Sequence, residues 1–268
     1  MEPKGAVYVV GDVHGQFERL TALLLRAGFV GEDLAWKAGD ATLIFIGDFF
    51  DRGPDGIGCL ELAMRLQLQA AQAGGQVQAL LGNHEIMVIS AARFNRRLTS
   101  GPGGTFVDDW QFNGGQLAEL PYLTDAHIDW LAHLPGMLLV QDHLLVHADA
   151  MFYLRYGSSA AQVNAWIQTV LEGQEASLYE QILDDFSERE AFLDDEFGVT
   201  RAREMLQQFG GRRIVHGHTP IARMVGRKAR EVRIPLIYAG GLVVNVDAGL
   251  YMGGNGFVYR LPELGEGE

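Results

Sequence analysis

Short apolar runs that stop abruptly at glycine and charged residues punctuate the chain. Ala6–Val10 leads into Gly11-Asp12-Val13-His14-Gly15, Thr42–Ile46 into Gly47-Asp48, and Val77–Leu81 into Gly82-Asn83-His84-Glu85. Leu144–Val146 leads into His147-Ala148-Asp149, and Ile214–Val215 into His216-Gly217-His218. Such runs, aliphatic, β-branched and bounded by glycine, predict buried strands. Helical patterns lie between them. Phe17–Ala27 repeats apolar residues at Phe17, Leu20, Leu23, Leu24 and Ala27, and Ile57–Ala73 is rich in good helix formers. Ile86–Phe94 and Ala160–Leu171 also read as helices, the second capped by Ser158 or Ser159. Strand–helix alternation predicts an α/β sheet with the polar clusters gathered at the strands' C-terminal ends, where open sheets hold their ligands. The glycine-punctuated stretch Leu236–Leu261 predicts antiparallel hairpins.

The polar clusters run from Asp12 to His218 without a linker or repeat, so one domain over residues 1–268 is expected. Two inserted segments read as covers for a site. Thr99–Gly115 is a glycine- and aromatic-rich loop whose Phe106, Trp110 and Phe112 are either core or a platform for an aromatic ring. Glu172–Glu196 holds ten acids and one base, Arg189, and predicts a solvated helical cap. The tail beyond Pro262 is expected to fray.

Composition narrows the classes. Hydrophobic residues make up 48% of the chain, enough for a sizeable core, and glycine is abundant at 34 residues. A net charge of −13 disfavours nucleic acid and anionic membrane as partners. Cys59 is the single cysteine, which rules out an internal disulfide and a thiolate metal cage; its apolar helical setting predicts a buried thiol. The N-terminal apolar stretch is too short for a secretory core, and no apolar run approaches the ~20 residues of a membrane span. A soluble, cytoplasmic protein is the expectation.

Chemistry concentrates where the runs stop. Of eight histidines, His127, His133 and His143 read as structural, whereas His14, His84, His147, His216 and His218 follow predicted strands together with Asp12, Asp48, Asp51 and Asn83. Imidazole, carboxylate and amide without thiolate suit Mn²⁺, Fe or Zn²⁺. A carboxylate can bridge two such cations ~3.5–4 Å apart, a geometry that acidifies a shared water and clamps an in-line displacement at phosphorus. Arg52 offers a planar fork for phosphate oxygens. His84 can protonate a leaving alkoxide, with Asp51 orienting it and favouring its protonated form.

Gly11–Gly15, Gly47–Gly53 (GDFFDRG) and Gly82–Glu85 resemble the three signature blocks of the phosphoprotein phosphatase family, within the calcineurin-like metallophosphoesterases. His147 in VHAD and His218 in HGHTP resemble its two later histidine blocks, and Asn113-Gly114-Gly115 and His127–Pro135 look like bacterial members. The stretch Leu34–Pro54 is similar to Shewanella-like phosphatases. The resemblance covers residues 6–250 and implies a four-layered α/β/β/α sandwich with a dimetal site. It implies Asp12, His14 and Asp48 around one divalent metal and Asp48, Asn83, His147 and His218 around a second, with Mn²⁺ favoured over Fe or Zn²⁺. His84 would be the general acid, Asp51 its partner and Arg52 a phosphate clamp. A second phosphate-binding arginine is expected between the last two histidine blocks, at Arg189 with Arg201 as competitor. His216 has no ligand counterpart and reads as structural. The fourth block carries Ala148-Asp149 where many members carry two glycines.

The expected reaction is hydrolysis of a phosphate monoester, on phosphoserine, phosphothreonine or phosphotyrosine in a protein or peptide or on a small molecule, by a hydroxide bridging the metals. Two alternatives stay open: a dinucleoside polyphosphate hydrolase and a metal-binding scaffold without turnover. The basic cluster Arg223, Arg227, Lys228, Arg230 and Arg233 reads as a solvated hairpin rather than a polyphosphate site.

Overall fold

Two sheets stacked face to face organise the computed structural model, which describes residues 5–263. In chain order the described elements begin β1 (Val7–Val10), α1 (Phe17–Arg26), β2 (Thr42–Phe45), α2 (Gly56–Gln72), β3 (Gln76–Ala79) and α3 (Asn83–Phe94). They continue α4 (Phe106–Phe112), α5 (Asp125–Ala132), β4 (Met137–Val140), β5 (His143–Val146), α6 (Ala160–Glu172), α7 (Ala176–Ser187) and α8 (Gly198–Phe209). The last are β6 (Arg213–His216), α9 (Ile221–Met224), β7 (Leu236–Tyr238), β8 (Val243–Asn245) and β9 (Val258–Arg260).

One sheet has the order β3-β2-β1-β9 and the other β4-β5-β6-β8-β7. β1, β2 and β3 pair in parallel, as do β5, β6 and β8, while β9, β4 and β7 lie antiparallel at the edges. Strict alternation along the strands explains the layering. Val7, Val9, Ile44 and Ile46 of one sheet meet Leu145, Val215, Val244 and Val246 of the other between the layers. Val10, Leu43, Phe45 and Val77 turn outward onto Leu20, Leu24, Leu60 and Leu66 of α1 and α2. On the other side Leu144, Val146 and Ile214 turn outward among Val163, Ile167 and Met205 of α6 and α8. Strands buried on both faces read as continuous apolar runs, which is why no polar–apolar alternation marks them in the sequence. The result is the expected α/β/β/α sandwich.

Three expectations need correction. Thr99–Gly115 contains the helix α4, capped by the Thr105 side chain accepting from the Asp108 amide. Its Phe106 and Trp110 are buried core residues, leaving only Phe112 exposed. The C-terminal stretch makes one hairpin, β7–β8, after which β9 crosses to the other sheet and pairs with β1. The basic cluster lies not on a hairpin but along α9, the short helical turn Ala229–Glu231 and the loops beside them: Arg223 is in α9, Arg230 in the turn, and Arg227, Lys228 and Arg233 in the loops. Glu172–Glu196 is helical over α7, whose Tyr179, Ile182 and Phe186 are buried while most of its acids face outward. Ser159 is the α6 cap. The tail expected to fray is described only to Glu263; residues 264–268 lie outside the described residues. No helix among the described residues is long and apolar enough to cross a membrane.

Candidate metal centre

The loops leaving β1, β2, β5 and β6, with the first turn of α3, converge on one point. Five residues there hold left-handed backbone: His14 (φ 48), Asp48 (φ 55), Asp51 (φ 71), Arg52 (φ 63) and His218 (φ 66). Non-glycine residues in that region cost of order 1–3 kcal/mol each, a strain typical of functional loops. Close packing explains the neighbouring glycines. A Cβ at Gly82 would stand 2.2 Å from Asp48 Oδ1, and one at Gly217 2.2 Å from Asp12 Oδ1.

Two groups of donors share one carboxylate. His14, Asp48 and His84 can surround one cation, and Asp48, His147 and His218 another. His14 Nε2 lies 3.5 Å from Asp48 Oδ2, and His147 Nε2 lies 3.4 Å from Asp48 Oδ1, so the two oxygens of Asp48 face different imidazoles. Asn83 Oδ1 stands 3.1 Å from His147 Nε2 and 3.0 Å from His218 Nδ1. Asp12 Oδ2 is 3.9 Å from His14 Nε2, and both Asp12 oxygens accept from the His218 amide.

The tautomers suit metal ligation. Nδ1 of His14 donates to the Phe50 carbonyl and Nδ1 of His147 to the Ile46 carbonyl, each at 2.9 Å, leaving the Nε2 lone pairs aimed inward. Burial pushes the His14, His147 and His218 imidazoles down, His14 and His218 well below the usual range; neighbouring His84 adds to the fall at His14, and His147 and Arg189 to that at His218. Neutral rings are the form that binds a cation. Burial works against charge on Asp48, and its carboxyl is held below the ordinary range where the imidazoles of His147, His84 and His14 carry protons, a charge that a bound cation would replace. His218 Nδ1 and His147 Nε2 sit 3.2 Å apart, and buried His218 Nε2 has no partner among the described residues. Lone pairs crowded this closely around a shared carboxylate fit divalent cations.

Beside these groups, His84 Nδ1 donates to Asp51 Oδ2 at 2.5 Å, and Asp51 Oδ1 accepts from Trp110 Nε1 at 2.7 Å. Burial raises Asp51 despite those hydrogen bonds. Arg52 spans the site, with Nη1 2.7 Å from His14 Nε2 and Nη2 2.9 Å from His84 Nε2. Every expected site residue from Asp12 to His218 is thus brought together, apart from the arginine question. Arg189 is exposed, bonded through Nε to the Ser187 carbonyl, yet close enough for its charge to act on His218. Arg201 is turned to the Ala191 carbonyl and the Phe197 ring. His216 stands behind the centre, its Nε2 2.8 Å from the Tyr238 hydroxyl, in keeping with a structural role.

Four residues take roles at the site that the sequence did not show. Glu85 accepts from the amides of Asp48, Phe49 and Gly82, tying the β2 and β3 loops; burial and the Asp48 charge push it up to about 8. Trp110 anchors Asp51. The Tyr251 ring lies 4.6 Å from the Arg52 guanidinium. Burial also pushes Asp247, which faces Asp48, up to about 7. Glu85 had a signal, its place in the Gly82–Glu85 block; Trp110 was expected only as core or as a ring platform, and Tyr251 and Asp247, from a distant segment, had none.

Relatives place this centre in a family. Over 80 residues, 30% of this chain, it is 34% identical to Shewanella-like protein phosphatase 2 of Arabidopsis thaliana. Over 152 residues, 57% of this chain and 44% of the relative, it is 29% identical to a symmetrical bis(5'-nucleosyl)-tetraphosphatase of Delftia acidovorans. The first curated relatives are matched over only 25%, 20% and 22% of their own lengths. A cold-active protein-tyrosine phosphatase of a psychrophilic Shewanella superposes with a TM-score of 0.73 at 23% identity, over 95% of this chain and 74% of that one. The family model described as calcineurin-like phosphoesterase matches residues 5–222, and the chain therefore belongs to the calcineurin-like phosphoesterases.

Proposed function

We propose that residues 1–268 form one phosphatase unit that hydrolyses phosphate monoesters, with phosphoproteins or phosphopeptides as the substrate class. The observation that carries this reading is Asp48, whose two oxygens face His14 on one side and His147 on the other, beside the His84–Asp51 pair and the Arg52 fork. Asp12, His14 and Asp48 would hold one divalent metal, and Asp48, Asn83, His147 and His218 the second; these imidazole, carboxylate and amide donors suit Mn²⁺, Fe or Zn²⁺, and the family resemblance points to Mn²⁺. Bound, the pair supplies a water acidified toward neutrality and positive charge for the phosphate oxygens.

The protein's own groups do the rest. His84 gives its Nε2 proton to the leaving oxygen as the P–O bond breaks, while Asp51 fixes the ring through Nδ1. The Arg52 guanidinium, now resting on two imidazole nitrogens, matches two phosphate oxygens bidentately. Arg189 adds charge from the segment after α7. Clustered metal donors alone would also fit a scaffold without turnover; the His84–Asp51 pair and the Arg52 guanidinium beside them support turnover instead.

A dinucleoside polyphosphate substrate is the competing reading, supported by the tetraphosphatase relative. It needs cations for a long polyanion, whereas the neighbouring helix α7 presents acids. The test is a panel of phosphopeptides, an aryl phosphate and a dinucleoside tetraphosphate with the purified, Mn²⁺-loaded protein. Phosphopeptide turnover supports the proposal. A kcat/KM for the tetraphosphate far above that for every phosphopeptide would overturn it.

A further inference from the structure

A cavity of about 270 Å³ opens between α3, α4 and α7, formed by the two covering segments. Met87, Phe106, Trp110 and Leu183 supply its apolar walls. Glu180 and Asp184, one turn apart on α7, line it as well, together with Asp109 of α4. Among the described residues neither Glu180 nor Asp184 belongs to an ion pair; Glu180 has only a 3.5 Å bond from the Ser100 hydroxyl. The cavity is therefore lined by hydrocarbon and carries uncompensated negative charge.

Two of its lining residues lead directly to the proposed phosphate clamps. Asn113 precedes Gly114, whose carbonyl accepts from the Arg52 amide at 2.9 Å. Ser187 accepts through its carbonyl from Arg189 Nε at 3.3 Å. Through these bonds, and through Trp110 donating to Asp51, the cavity walls connect to the residues proposed to act on phosphate.

We propose that this cavity is a substrate subsite that receives a lysine or arginine side chain flanking the phosphorylated residue of a peptide. It rests on the phosphopeptide reading above. An alkyl stem packs on Met87, Phe106 and Leu183, and the cationic head meets Glu180 and Asp184. Long basic side chains have this apolar-stem, charged-tip character, and a neutral or acidic residue does not satisfy both halves of the cavity. At under 300 Å³ the space is at the lower bound for ligand pockets, suited to one side chain rather than to a nucleoside with its phosphates.

The experiment compares kcat/KM on phosphopeptides identical except for Lys, Ala or Glu at single positions flanking the phosphoresidue, using the Mn²⁺-loaded protein and its E180Q/D184N variant. At low ionic strength the Lys peptide should exceed the Ala peptide about three- to tenfold at one position, the range of two partly exposed ion pairs, and the gap should close in high salt. The variant should lose that preference and still hydrolyse p-nitrophenyl phosphate, which does not reach the cavity, at the unaltered rate. Peptides turned over alike whatever the flanking residue would overturn the subsite alone. A Lys preference that persists in the variant would do the same. If no peptide is hydrolysed while p-nitrophenyl phosphate or the dinucleotide is, the phosphopeptide reading falls and the subsite with it.

Discussion

Trp110→Phe isolates a contact that is invisible to any pairwise reading of the site. Trp110 is fully buried, and its Nε1–H is the bond that holds Asp51 Oδ1 while Oδ2 holds His84. Phenylalanine keeps most of the apolar volume but removes the donor, leaving a buried carboxylate oxygen without a partner. A hydrogen bond to a charged group contributes about 1.5–3 kcal/mol. The missing part of the indole adds about 1–2 kcal/mol of lost burial and cavity. The variant should therefore be destabilised by about 3–5 kcal/mol, a fall in Tm of roughly 10 °C for a chain of this size. If the lower bound of the hydrogen bond is expressed in the transition state, kcat falls about tenfold. That loss should appear on an alkyl phosphate, which needs the proton from His84, and shrink on p-nitrophenyl phosphate, whose leaving group is a weak base. Calorimetry and paired steady-state kinetics read both quantities. A variant that melts within about 2 °C of the parent and keeps the parent's ratio between the two substrates would refute the idea that Trp110 positions Asp51.

His84→Asn should cost about 10²–10⁴-fold on an alkyl phosphate and much less on p-nitrophenyl phosphate; equal losses would reassign His84 to metal positioning. Arg52→Lys should be nearly as harmful to kcat/KM as Arg52→Ala, because a point charge cannot replace the fork, and full rescue by lysine would refute bidentate binding. Elemental analysis should find about two metal equivalents, falling in Asp48→Asn, and chelation should lower Tm, since each site filled at 100 Kd adds about 2.7 kcal/mol; an intact pair in Asp48→Asn would sink the bridging role. His143, buried on β5 with neither ring nitrogen bonded among the described residues, is pushed down to about 4 by burial and Arg213, from an ordinary 6.5. The unfolded chain then binds a proton that the folded one does not, so stability falls as pH drops from 6.5 to 4, by up to about 3 kcal/mol in all. Denaturant midpoints of His143→Leu should fall less over that window, and an unchanged pH slope would show that His143 does not carry it.

The strands and most of the centre were legible because β-strand cores and tight loops leave local signatures. Val7–Val10 and Thr42–Phe45 are buried on both faces, and a run that must satisfy two apolar layers has no room for polar residues. Gly82 and Gly217 mark loops where a Cβ would strike a carboxylate, so the residues next to them stand out at fixed offsets. Asp12, His14, Asp48, Asn83, His147 and His218 could be collected on that basis before any fold was known. What the sequence left open were contacts whose partners are far apart along the chain. Trp110 reaches Asp51 across 59 positions, and Tyr251 comes to Arg52 only because β8 carries the C-terminal segment up to the site. The same holds for the tautomers: the Phe50 and Ile46 carbonyls decide which nitrogen of His14 and His147 is free, and those are backbone groups without sequence identity. Helix α4 was read as a loop because its seven residues carry too few turns to show a period. Local chemistry is written in the chain itself, whereas which aromatic ring braces which carboxylate is settled only when two sheets close on one core.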